Sequence, residues 1–369
     1  VSSGGVAGVL ERLKGLKELD VSYCPGILRQ SWRNKIPSLK TLELSFSAVQ
    51  DRHISHLTTP LLSLQELNLD SCPVSDLSLN HLATANITPN LSSLDLADTD
   101  ISDRGMAYLP LFTKLTKLSL FYCQISNGGL RHLREMTSLE VLNLDSREIG
   151  DEGLAHLRGL TRLKALDVFS GRITDAGCVH LGMIASLESL ELCGGGVGDM
   201  GCAHLAKLEN LTSLNLSQNE RITNRGAAAL AALSHLRALN LSHTRVNSAA
   251  LRFLGGLVEL QSLALYGCRG VEEDVDCVAV LEEELPRLKC LRLNRSREEE
   301  EMEDSEEEDD GEEDHFMMEE EEEEEDIFGD LDDDGDDNED MEEGEVTLFM
   351  RPDEYFSEED SVESNGNND

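Results

Sequence analysis

Leucine recurs along this chain in a fixed phrase. The frame L-x-x-L-x-[LV] begins at Leu16, Leu39, Leu64, Leu91, Leu115, Leu139, Leu163, Leu187, Leu211, Leu236, Leu260 and Leu288, at intervals of 23 to 28 residues and most often 24. In "LEVLNLDSREIGDEGLAHLRGLTR", residues 139 to 162, Leu142 and Leu144 alternate with outward positions, as a half-buried strand requires. The eighth position after the first Leu is mostly small and often able to hydrogen-bond: Cys24, Ser47, Cys72, Thr99, Cys123, Thr244 and Cys268 among others. Such residues suit a tight corner whose backbone groups need partners. An aliphatic residue follows, then Asp or Asn two places on: Ile101 with Asp103, Ile149 with Asp151, Ile173 with Asp175, Val197 with Asp199. This predicts an Asp or Asn cap on the first turn of a short helix, at about 1 kcal/mol each. Leu154, Leu157 and Leu160 then give that helix one apolar stripe.

Strand, corner and capped helix repeated at one period define an α/β leucine-rich-repeat solenoid of about twelve coils over residues 1–296. The expected form is a horseshoe with a parallel concave sheet and short convex helices. Periodicity also decides the meaning of "CGGGVGDMGCAHL" (193 to 205), which holds G-x-G-x-x-G at Gly196, Gly198 and Gly201, with Glu220 nineteen positions on. A dinucleotide loop needs a βαβ unit of about thirty residues. Here Gly201 belongs to a D-x-G column shared with Gly105, Gly153 and Gly177, so the motif is read as a product of the repeat.

Charge divides the chain in two. Of 73 acidic residues, 40 fall between Glu298 and Asp369, against the single base Arg351, leaving 33 acids and 30 bases before them. Residues 297–369 are therefore expected to be a disordered acidic low-complexity tail, because like charges repel and too few apolar groups offset the ordering entropy. Such a polyacid disfavours nucleic acid and anionic membrane and attracts basic proteins. No apolar run approaches the ~20 residues of a membrane helix. Nine cysteines without a framework of close pairs read as reduced thiols, pointing to the cytoplasm or nucleus. The sequons at Asn86, Asn90, Asn210, Asn215, Asn240 and Asn294 mostly arise from the repeat's own N-L-S/T phrases and do not argue for secretion.

Candidate chemistry is thin. His56, His81, His132, His156, His180 and His204 share a column, but helices about 8 to 10 Å apart cannot bring two imidazoles to ~2 Å from one zinc. They are read as partly buried helix residues. Cys178 and Cys202 occupy a buried hydrophobic column, while Cys290 sits outward on a strand. "DLDDDGDDNEDM" (330 to 341) imitates a calcium loop, yet ends on Met341 where a bidentate Glu is needed. No catalytic residue, metal site or cofactor is assigned, and an enzyme is not expected. Ser305 and Ser357, each followed by acids, are candidate phosphorylation sites.

Function is expected on the strand-lined face. Its outward columns carry Asp20, Glu43, Asp70, Asp95, Asp145, Asp167 and Glu191 with Tyr23, Phe46, Phe121, Tyr122, Phe169 and Tyr266. Rings as anchors and carboxylates for orientation make a protein-binding surface, centred on coils four to eight, for a basic or polar partner.

"IGDEGLAHLRGLTRLKALDV", "RITDAG", "LESLELCGGGVGD" and "NLTSLNLSQN" resemble the plant and algal leucine-rich-repeat proteins grouped with F-box/LRR-repeat protein 14, within the ribonuclease-inhibitor-like superfamily. The resemblance implies a non-enzymatic interaction scaffold, in the F-box members the substrate-recognition part of an SCF-type ubiquitin ligase. Here "VSSGGVAGVLERLKGL" already reads as the second half of a coil, with Leu10, Leu13 and Leu16 matching Leu157, Leu160 and Leu163, so an F-box, if the complete protein has one, is expected outside this sequence. The alternative reading is a histone or basic-protein chaperone or nuclear regulator, since repeats followed by an acidic tail resemble the acidic leucine-rich nuclear phosphoproteins.

Overall fold

Each leucine phrase forms one short strand, and each strand lies beside the next. The computed structural model describes residues 13, 15–24, 38–57, 61, 63–84, 88–144, 148–169, 172–268, 270–271, 281 and 284–293. The chain divides into two units, Val1–Asp310 and Gly311–Asp369, and all described residues lie in the first. They form one twelve-stranded sheet in sequence order, from β1 (Glu18–Asp20) and β2 (Thr41–Glu43) to β12 (Cys290–Arg292). Every pairing is parallel and in register: Leu19 faces Leu42, Leu142 faces Leu166, and Leu263 faces Leu291. Coils are numbered below by their strands.

The leucine columns are the core. Leu139, Leu142 and Leu144 are buried, as are Leu154, Leu157 and Leu160 behind them, and the same positions are buried coil after coil. The expected helices are present but short and varied. Asp175–Leu181, Asp199–Leu205 and Asn224–Leu230 are α-helical. Gly105–Leu111 is a 3-10 helix containing Pro110, and coil five splits into a four-residue α-helix and a 3-10 turn. Strands spaced about 4.8 Å apart on one side and wider helical segments on the other bend such an array toward its sheet.

Two expectations are corrected in detail. First, the capping residue stands one place earlier than the Asp/Asn column: the side chains of Ser126, Thr174, Thr223 and Asn247 accept the first-turn N–H bonds. The Asp/Asn column bonds to the next coil instead. Asp151 accepts from Thr174 N at 2.8 Å and Thr174 Oγ1 at 2.7 Å. Asp175 accepts from the backbone of Gly198 and Gly201, and Asp199 from Thr223 and Gly226. A carboxylate with two oxygens spans a coil boundary where a single hydroxyl could not.

Second, the backbone reverses one residue before the small column. Tyr23, Phe46, Ser71, Asp98, Tyr122, Gln218 and His243 adopt positive φ between 48° and 60°, with Gly194 and Gly267 in the same column at 69° and 68°. Seven of these left-handed residues extend the ladder past the strand, as Tyr23 N does to Ser45 O at 3.0 Å and His243 N to Tyr266 O at 2.7 Å. The small column then does the expected hydrogen-bonding work. Thr99 Oγ1 donates to Leu96 O at 2.6 Å, Cys123 Sγ to Leu96 O at 3.0 Å, and Asn219 Nδ2 to Leu192 O at 2.8 Å.

Candidate functional site: the strand-lined face

The outward position at the end of each strand carries Asp20, Glu43, Asn68, Asp95, Ser119, Asn143, Asp167, Glu191, Asn215, Asn240, Ala264 and Arg292. Part of this column serves the backbone. Asp20 Oδ1 accepts from Ser22 N at 2.9 Å and Asp95 Oδ1 from Ala97 N at 3.0 Å. Asn68, Asn215 and Asn240 make the same bond two residues on. An amide oxygen therefore suffices for the turn, and the negative charge at Asp20 and Asp95 is surplus to it.

The glutamates make the electrostatics plain. Burial pushes the Glu43 carboxyl above its ordinary range; a hydrogen bond from Asn68 opposes this, and the nearby carboxylates of Asp20, Asp95 and Glu66 add to it. Burial likewise pushes Glu191 up to about 7, against a hydrogen bond from Asn215 and with help from the Asp167 charge. Glu140, Glu148 and Glu259 make ion pairs, and these three lie outside the columns. Over coils one to five, the outward and corner columns hold Glu18, Asp20, Glu43, Glu66, Asp70, Asp95 and Asp98 against one base, Lys117. Like charges crowded on a half-buried sheet favour whatever cation arrives.

Rings stand among these acids. Tyr122 is 61% exposed and meets Phe121 edge-on at 4.6 Å between centroids. Phe169 and Tyr266 are also exposed, and Tyr266 meets His243 edge-on at 5.3 Å. Rings also stand at coils one and two, where Tyr23 and Phe46 stack at 4.8 Å with planes 1° apart. Both were read from the sequence as outward rings, in a column that also holds Tyr122. Three bulky rings sit there at positive φ, at a cost of roughly 1 kcal/mol per residue, in a column that uses Ser71, Asp98 and Gly194 elsewhere. Asp145, Ser305 and Ser357 lie outside the described residues.

The other candidate chemistry finds structural explanations. His81, His132, His156, His180 and His204 are half-buried on the helical side. Among the described residues, no three His, Cys, Asp or Glu side chains converge as a metal site. Burial lowers the His156 imidazole below its ordinary value, with Arg134, Arg131 and Arg158 adding to the effect. Burial pushes the thiols of Cys193 and Cys202 up to about 12 and those of Cys72, Cys123 and Cys178 upward, so these are poor nucleophiles. In the glycine motif, a Cβ on Gly201 would stand 2.7 Å from Asp175 Oδ1; on Gly177 it would stand 2.5 Å from Asp151 Oδ1. That column is glycine because the preceding coil's carboxylate passes over it. A polar anion-accepting nest is the wrong description of a loop already filled by a carboxylate.

Repeat arrays of this kind are protein-binding scaffolds that present an extended strand-lined face. Residues 90–303 match the model of the leucine-rich repeat region family, and the chain belongs to that family. Among solved structures, an internalin (InlF) from Listeria monocytogenes strain 4b F2365 is similar, with a TM-score of 0.58 at 23% identity, over 79% of this chain and 89% of its own. Internalin C2 from the same strain gives a TM-score of 0.46 at 23% identity, over 56% of this chain and 83% of its own. At that identity the likeness is one of fold. No curated protein matches the chain.

Proposed function

We propose that this chain is a scaffold whose strand-lined face binds a basic protein partner. The observation that carries the reading is the crowd of seven acids facing one lysine over coils one to five, with exposed rings among them. Carboxylates select and orient a cationic surface, and rings supply the desolvated anchors that hold it. The acidic residues after Arg297 add a long-range field of the same sign.

Within this reading, the F-box/LRR resemblance supports substrate recognition in an SCF-type ubiquitin ligase, as a cytoplasmic or nuclear protein. Histone or basic-protein chaperoning is the alternative, favoured by the 40 acids of the tail. The test is purification of bound proteins from native cells with the full chain, a version ending at Arg297, and a full-length Glu43→Gln/Asp95→Asn variant. Ligase adaptors recovered with both lengths support the receptor. Histones recovered only with the tail present support the chaperone. Partners retained undiminished by the charge-neutral variant overturn the strand-lined face as the binding surface.

A further inference from the structure

The corner column makes a notch. From coil two to coil five it reads Phe46, Ser71, Asp98, Tyr122, all at positive φ, with exposed rings at the ends and small or acidic residues between. Tyr23 stacks on one face of Phe46, and the next residue of the column beyond Phe46 is Ser71. Ser71 Oγ lies 2.9 Å from Asp70 Oδ1 and 3.3 Å from Asp98 Oδ2, so carboxylates line the floor. Asp98 is exposed.

We propose that this notch takes an extended, arginine-bearing peptide segment, with one guanidinium stacked on Phe46, another on Tyr122, and both paired with the carboxylates between them. This rests on the reading of a basic partner and names its chemistry. Three strand spacings of about 4.8 Å put the two ring positions roughly 14 Å apart. Subtracting a stacking distance of about 3.5 Å at each ring leaves about 7 Å between the two cations. Alternate residues of a strand are separated by about 6.7 Å and point the same way, so the geometry fits R-x-R. Arginine is preferred to lysine because its planar group stacks on a ring while its edge hydrogen-bonds a carboxylate. A lysine ammonium offers no such plane.

The test uses the full chain at about 0.15 M salt, where long-range attraction is partly screened, and two labelled peptides of equal charge, Gly-Arg and Gly-Lys repeated four times. The ring variant is Phe46→Gly/Tyr122→Gly, since glycine adopts positive φ without strain and melting temperature is expected to hold. The expected result is tighter binding of the arginine peptide by about five-fold or more, a preference the ring variant abolishes. Because every variant keeps the acidic tail, attraction to the tail cancels from the comparison. An arginine preference equal in the ring variant and the natural chain overturns the proposal. If Glu43→Gln/Asp95→Asn weakens both peptides while the ring variant changes nothing, the notch is wrong and the basic-partner reading survives. If neither variant matters, both fall.

Discussion

At the scale of single residues, the glycine motif of coil eight separates into positions with opposite demands. Gly201 must admit Asp175, and its added Cβ would also meet Val197 Cγ1 at 2.7 Å. Gly201→Ala is expected to lower stability by about 1 to 3 kcal/mol despite alanine's better helix propensity. Gly198 caps the helix Asp199–Leu205 without a side-chain bond, where Thr174 and Thr223 in the flanking coils supply one. A Cβ there meets nothing closer than Arg221 Cβ at 3.4 Å. Gly198→Thr is therefore expected to stabilise by a few tenths of a kcal/mol. Urea denaturation of the two variants reads both signs, and a loss in both would mean that the turn needs glycine for a reason other than contact.

Glu191 carries the clearest pH signature. Its carboxyl is held near 7 in the folded chain against 4.5 for an ordinary glutamate. A raised carboxyl makes the native state bind the extra proton, so stability falls as pH rises from about 4.5 and the loss is complete above about 7. Glu191→Gln is expected to flatten that slope and to be more stable than the natural chain at pH 8, as thermal melts at pH 5, 6.5 and 8 will show. An unchanged pH profile would mean that Glu191 titrates normally.

At the scale of elements, coils are joined by the carboxylates that open their helices. Asp51 binds Ser75 N at 2.9 Å, Ser75 Oγ at 2.7 Å and Ser78 Oγ at 2.6 Å. Burial pushes its carboxyl up, and these hydrogen bonds outweigh that and hold it below its ordinary value. A depressed carboxyl contributes stability present above the unfolded value of 3.8 and lost as pH falls through the folded one. Asp51→Asn is expected to cost stability at pH 7 and to narrow the gap from the natural chain below pH 4, read by denaturation at both pH values. Most of this level was legible in the sequence. The leucine columns, the strand register and the hydrogen-bonding role of Thr99 and Cys123 follow from period and residue type alone. Asp151 and Asp175 were visible as a column, but their bonds cross to the next coil, and one repeat read by itself offers no such partner. The left-handed turn at Tyr23, Phe46 and Tyr122 was hidden for a related reason: aromatic side chains are poor markers of positive φ, so the pattern pointed to the small residues after them.

At the scale of the whole molecule, net charge is −42, and most of it comes from the residues after Arg297. On the proposed reading the strand-lined face supplies short-range contacts to a partner, and the tail supplies a field that weakens over about 8 Å at physiological salt. These two contributions act on different rate constants. Long-range charge raises the association rate, and packed or paired contacts set dissociation. For a partner seated on coils one to five, ending the chain at Arg297 is expected to slow association about ten-fold at 0.05 M salt. The difference should vanish near 0.5 M, and dissociation should stay the same throughout. Glu43→Gln/Asp95→Asn is expected to do the reverse, speeding dissociation at every salt concentration. Stopped-flow binding of one purified basic partner to the three forms measures this. If the shortened chain instead loses the complex outright at all salt concentrations, the tail is itself the binding element, and the repeat array serves to present it.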